Sequence, residues 1–450
     1  MRPASNAHPG RIPGRRPTAT ALPVRQAGVL ALLVALAVLL SALPGQARAQ
    51  VAAPCSVTVS PGQSLRAAIA STPAGGVICL AAGLYSETPV FDQTAPPALT
   101  LRGAGPEATI LDGLGGHDGV LILNTGSITL ENLGLRGGVP ANAYVYNSTD
   151  IRFRNVAVSG GGIGIHIDAG SNVEVSDSLV TGVSTDGVLI RSGSSAAILS
   201  SEIRGNGGVG VSAVGNVGRV QLSESEVASN RGPGFFGGQP PCHLLPPATV
   251  EPPSCFLANP SAFVASGQYH LNDNTFEDNG STGLVFFPGT KAALFYNRIN
   301  DNRLTGLFVW GADVSTILNR FERNQEHAAE YRAYPAPLLP GQPPGTIVLK
   351  ATGSFLGNVV QDTAPLGTIL GGGLLSQGGK LVVRDNSLLD NAGIGVSFVH
   401  GAEGEIASNY IMWNKGSAIC LFDTGSVDVG KNTIGGNLAD KVGVCAERTH

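Results

Sequence analysis

The chain has 450 residues, of which 62 are Gly, 13% are charged and 43% are hydrophobic. Apolar residues in that proportion, recurring at fixed spacing, exclude a disordered chain. Acidic residues outnumber basic ones by 32 to 28, which argues against nucleic acid as a partner.

Residues 1–49 read as a secretory signal. Arg2, Arg11, Arg15, Arg16 and Arg25 form a positive start, Ala27 to Leu43 is an apolar run, and Ala47-Arg48-Ala49 is a small-x-small cleavage site. The Arg15-Arg16 pair leaves twin-arginine export open. Cleavage before Gln50 removes six Arg and no acid, leaving 22 basic against 32 acidic residues, a net of −10. A polyanionic ligand would then need a local basic stripe. The expected location is periplasmic or extracellular, with no membrane contact after cleavage. All six Cys lie in the mature part, and an even count in an exported chain reads as disulfides. Sequence proximity pairs Cys55 with Cys79, Cys242 with Cys255 and Cys420 with Cys445. The last pair lies two residues past Ala418 and Gly443, which places it in one column of neighbouring coils.

Residues 50–98 form an N-terminal cap and first coil. Cys55–Val59 is a strand, Ser64 N-caps a short helix over Leu65–Ser71, and Val77–Leu80 is the next strand. Such a helix covers the open edge of the first strand.

From residue 99 to 450 the sequence repeats. Gly164-Ile-His-Ile, Gly187-Val-Leu-Ile and Gly210-Val-Ser-Ala start at a spacing of 23, and Gly283/Gly306 and Gly395/Ala418 repeat it. Asn274, Asn297 and Asn319 form one column with Asn386, Asn409 and Asn432. Asn279, Asn302 and Asn324 form another with Asn391, Asn414 and Asn437. Each unit alternates like a strand and lacks helical spacing. An all-β solenoid of roughly a dozen ~23-residue coils follows, a parallel β-helix. The Asn columns read as stacked turn ladders, with Asn in the αL turn position. Pro-rich stretches at 237–262 and 333–345 interrupt the repeat and read as loops that leave the same edge. No C-terminal cap is evident, so Ala446–His450 or another chain covers the last coil.

From Cys55 onward, the Gly and Asn columns and the opening Ser64-Leu-Arg-Ala-Ala-Ile … Ala81-Ala-Gly-Leu-Tyr resemble the right-handed parallel β-helix superfamily, the pectin-lyase-like fold. That resemblance implies a right-handed coil. Many members are secreted polysaccharide lyases, hydrolases or epimerases; others are tail spikes, adhesins or binding proteins, so fold alone does not choose. The paired-Asp, Gly-His-Gly and Arg-Ile-Lys motifs of its pectin hydrolases are absent. So is the Asp-Pro-His-Asp of its periplasmic alginate epimerases.

In the strands after the Gly column, the residue following Gly faces inward and the next faces out. Outward columns therefore run Tyr144, His166, Leu189, Ser212, Phe236 and Tyr146, Asp168, Arg191, Val214. His166, Asp168, Arg191 and Tyr146 are the candidate catalytic residues. His or Tyr can move the proton α to a carboxylate, and Arg can neutralise the enolate. A surface ion pair among ordinary aromatics fits the same residues. A second group, Phe287, Phe308, Trp310, Glu330 and Arg332, with Tyr331 if the register slips, joins Tyr144 as the candidate substrate contacts. Aromatic faces stack on sugars, and Arg332 can pair a carboxylate. The alternative is a satellite core under the loops. Asp118, Asp186, Asp273, Asp278 and Asp301 precede turns and do not indicate calcium. No zinc spacing or phosphate loop is present, so no cofactor is expected. The partner is a polysaccharide or oligosaccharide. The function is a secreted lyase or epimerase, or alternatively a non-catalytic β-helix that binds glycan, a surface or another chain.

Overall fold

The structure, a computed structural model, describes residues 53–239, 267–335, 348–366 and 372–444. The expected signal segment, residues 1–49, lies outside them. The described chain is a right-handed parallel β-helix of about 15 turns, a few more than the repeat count led us to expect. Three parallel ladders run its length. Two belong to a 27-stranded sheet, because Thr129–Arg136 and Ile151–Ser159 run unbroken through the corner between them. The third is a separate 14-stranded sheet that starts at Val90–Phe91 and ends at Ala439–Val444. Alternate residues fill one continuous lumen of Val, Ile, Leu and Phe.

The short helix spans Leu65–Ser71 and is the cap the sequence predicts. Ser64 accepts the Ala67 N–H at 3.2 Å, and Leu65, Ala68 and Ile69 are buried against the first coils. Cys55 and Cys79 are bonded, with Cα atoms 5.6 Å apart.

Two side-chain columns set the repeat. The Gly at the head of each third-ladder strand sits against the next coil's main chain. A Cβ on Gly187 would meet the Gly210 carbonyl oxygen at 2.7 Å, and one on Gly283 would meet that of Gly306 at 2.6 Å. The buried Asn columns are hydrogen-bonded ladders, with Thr363 standing in for Asn between Asn324 and Asn391 in the second. Asn302 donates from Nδ2 to the Phe276 carbonyl at 3.0 Å and to Asn324 Oδ1 at 2.9 Å, while its own Oδ1 accepts from Asn279. The αL residue, however, is the one before the Asn, as at Asp273, Tyr296 and Leu318, with φ of 54°, 56° and 57°. The Asn amide serves the ladder, and its predecessor makes the bend.

Three expectations are corrected. The first insertion begins later than residue 237, since Gly237 and Gly238 still pair with Ala213 and Val214 in the third ladder. The rest of it that falls in 240–266, with Cys242 and Cys255, lies outside the described residues. The second keeps β-structure at its root: Tyr334–Pro335 pairs antiparallel with Val348–Leu349, and 336–347 lie outside the described residues. At the C-terminal end a register shift between Ser417 and Ile419 pairs Cys420 with Gly443. The alignment of Gly443 with Ala418 is therefore wrong by two residues. Cys420 is disulfide-bonded; Cys445 lies outside the described residues, so the pairing of the two is not described.

Candidate functional site

Both candidate groups lie on the outer face of the third ladder, in the register the alternation predicts. Leu121, Tyr144, His166, Leu189, Ser212, Phe236, Val285, Phe308 and Glu330 pair in succession. Beside this column run Leu123, Tyr146 and Asp168, and further along Trp310 and Arg332. Ile167 pairs with Ile190, which brings Arg191 to the position after Asp168. His166 and Glu330 are six rungs apart, about 29 Å at ~4.8 Å per rung.

At the first group, Asn142 fixes the strand that carries the tyrosines. Its Oδ1 accepts from the Gly138 N–H at 2.9 Å, and its Nδ2 donates to the Gly160 carbonyl at 2.8 Å. The Tyr144 ring stacks on His166 with centroids 4.9 Å apart and on Tyr146 at 6.1 Å. His166 Nε2 stands 3.8 Å from Asp168 Oδ2, too far for a hydrogen bond. This nitrogen is buried and has no hydrogen-bond partner. Asp168 Oδ1 accepts the Ala169 N–H at 2.7 Å. Burial pushes the His166 imidazole below its ordinary value, Asp168 works against that, and Arg191 adds to it. The ring is thus neutral at neutral pH. Burial and then Asp168 push the Tyr144 phenol up, which keeps it protonated. Tyr146 is 40% exposed. Arg191 makes no ion pair among the described residues. The expected Asp168–Arg191 surface salt bridge is therefore not formed, and the guanidinium is available to a ligand.

The second group forms a run of rings. Phe236 meets Phe287 at 4.9 Å, Phe287 meets Trp310 at 6.1 Å, and Trp310 meets Phe308 at 6.0 Å. Phe236, Phe308 and Trp310 are half-buried, while Phe287 is only 6% exposed and serves as their support. Arg332 lies over the Phe308 ring at 5.8 Å and is ion-paired with Glu330, two residues before it on the same strand. Glu330 is 3% exposed; burial pushes its carboxyl up, and Arg332 pulls it back. Tyr331 is not a surface contact. It faces the lumen, 0% exposed, and its hydroxyl donates to the Val314 carbonyl at 3.1 Å. The register with Glu330 and Arg332 outward is the one that forms. Whether the Pro-rich segments wall this strip lies outside the described residues.

Two carboxylates belong to the first group's surroundings although the sequence marked them only as turn residues. Asp118 accepts the Ala141 N–H and Asp186 the Val209 N–H, each at 2.9 Å. Burial raises both. Their place just before the strand head was the available signal. Among the described residues no set of His, Cys, Asp or Glu could hold a metal ion. A 690 Å³ hollow lies elsewhere, lined by Glu107, Asn155, Asp177, Ser200 and Glu202. No candidate residue borders it, so size alone does not mark the site.

The profile of the family described as "Right handed beta helix region" matches residues 118–239 and 261–449. No curated protein matches significantly. Among solved structures, the A-module of a mannuronan C-5 epimerase from Azotobacter vinelandii aligns at 14% identity. It covers 86% of this chain and 100% of its own, with a TM-score of 0.49. A pectin methylesterase from Erwinia chrysanthemi aligns at 13% identity over 56% of this chain and 90% of its own, with a TM-score of 0.37. The catalytic unit of an α-1,3-glucanase from Streptomyces thermodiastaticus aligns at 12% identity over 86% and 69%, with a TM-score of 0.35. These are likenesses of coil architecture and assign no role to any residue.

Proposed function

The chain belongs to the right-handed β-helix family, and on that premise we propose that it is an exported polysaccharide-active protein. Its reaction is that of a lyase or epimerase on a uronate unit of a glycan lying along the outer face of the third ladder. One observation carries this reading: a neutral, unpartnered imidazole on His166 stands beside Asp168 and Tyr144, one rung from an unpaired Arg191. His166 takes the proton α to the uronate carboxylate. The electron pair moves into an enolate that Arg191 stabilises. The exposed Tyr146 then gives its hydroxyl proton either to the departing β-oxygen, breaking that bond, or back to the α-carbon. Asp168 steadies the imidazolium formed in the first step. The Cys55–Cys79 bond supports an oxidising, exported setting, and the net charge of the mature part speaks against nucleic acid.

A second reading, a non-catalytic exported β-helix that binds glycan, a surface or a partner chain, is favoured by one feature. His166 Nε2 is shielded from solvent in the free protein. The two readings separate on purified protein incubated with polyuronates. Formation of unsaturated product, read in the ultraviolet, or exchange of the α-proton supports catalysis, and Tyr146→Phe and Arg191→Ala should each lower the rate about 100-fold or more. Binding without either reaction supports the second reading.

A further inference from the structure

The two ends of the face carry different chemistry. At the His166 end, Arg191 has no counter-ion among the described residues. At the other end, Arg332 is taken: Glu330 holds its guanidinium from a nearly dry position, and its planar group lies over Phe308. An incoming carboxylate there would have to displace Glu330 and leave that buried carboxyl without its partner, which is costly. What the strip offers instead is ring surface. Phe236 and Trp310 present half-buried faces backed by Phe287, and Phe308, under Arg332, meets Trp310. Such faces attract the C–H side of an uncharged pyranose and give no charge to a uronate.

From this contrast we infer that the Trp310 strip is a neutral-sugar platform, so that the substrate is a heteroglycan with a uronate at the Arg191 end and neutral sugar two to four rungs, about 10–19 Å, away. The inference rests on the glycan-acting reading above and narrows it. A homopolymer of uronate satisfies only one end of the face, and Glu330 acts as the selector at the other. Its role is to occupy Arg332, keeping a charge-bearing sugar off the platform.

Calorimetric titration tests this. The probes are cello-, xylo- and mannohexaose on one side and hexagalacturonate and hexamannuronate on the other. Arg191→Ala is the background, so that the opposite end does not contribute. We expect at least one neutral hexaose to bind and both hexauronates to bind at least tenfold more weakly. Trp310→Ala should weaken the neutral ligand about tenfold or more. Adding Glu330→Gln frees Arg332 and should raise hexauronate affinity about tenfold or more, an outcome that a merely structural role for Glu330 does not produce. Tighter hexauronate than hexaose binding in the Arg191→Ala background overturns the platform and leaves the glycan reading standing. An unchanged preference in a folded Glu330→Gln protein overturns Glu330 as selector. If that variant does not fold, the Arg191→Ala comparison decides alone. Binding of neither class, in this background or in the wild type, overturns both the platform and the glycan reading.

Discussion

At the scale of single residues, the site depends on an imidazole kept neutral by burial. The unfolded chain binds a proton near the ordinary value of 6.5, and the folded chain binds it only at lower pH. Stability from this group is thus complete above about pH 6.5 and is lost as the pH falls toward the folded value. His270, lowered by burial and by Arg219, adds to the same trend. We predict that the melting temperature falls as the pH drops below about 6.5 and that His166→Gln makes the fall shallower. An unaltered slope in that variant counts against the buried neutral ring. Activity should follow the same sign, declining as acid protonates the base.

At the scale of elements, the coil is held by two kinds of column, and each gives a measurable cost. Asn302→Ala removes the acceptor of the Asn279 N–H and Nδ2, at 3.2 and 3.0 Å. It leaves two buried donors unpaired, and denaturant melts should show a loss of about 2–4 kcal/mol. Gly187→Val puts a side chain against the Gly210 carbonyl and Ile203 and should cost about 1–3 kcal/mol. A loss below about 0.5 kcal/mol at either position would mean that the coils relax around it.

These columns were legible because each repeats a physical constraint every turn. Gly heads the strand where a Cβ has no room, and Asn stacks where two donors need acceptors. The reading slipped where the repeat itself changes. Ala328 stands at the head position otherwise held by Gly306, so the choice between Tyr331 and its neighbours stayed open until the pairing of Leu307 with Ala329 fixed it. The shift between Ser417 and Ile419 has no mark in the sequence and displaced Cys420 by two. Side-chain partnering was not legible at all. Arg191 and Arg332 occupy the same column position, yet only Arg332 has a carboxylate two residues away on its own strand.

At the scale of the whole molecule, each coil touches only its neighbours, so the ends are the weak points. The Cys55–Cys79 bond closes a separation of 24 residues at the N-terminal end, worth about 3–4 kcal/mol in the unfolded chain. Replacing both with Ser should raise amide exchange first in Val57–Val59 and Leu65–Ser71, with the central coils following later. Uniform loss of protection would contradict a solenoid that frays from its end. The same stacking makes the third ladder one uninterrupted face, and the central claim is that His166 does proton chemistry on a glycan lying along it. Solvent-deuterium incorporation tests this most directly: the mature protein is incubated with polyuronate-containing glycans in D₂O, and the α-carbon is followed by NMR in wild type and His166→Gln. Deuterium at the α-carbon, or its loss with unsaturated product, in wild type and not in the variant is the predicted result. No exchange and no product in wild type, with glycan affinity equal in both proteins, would contradict it.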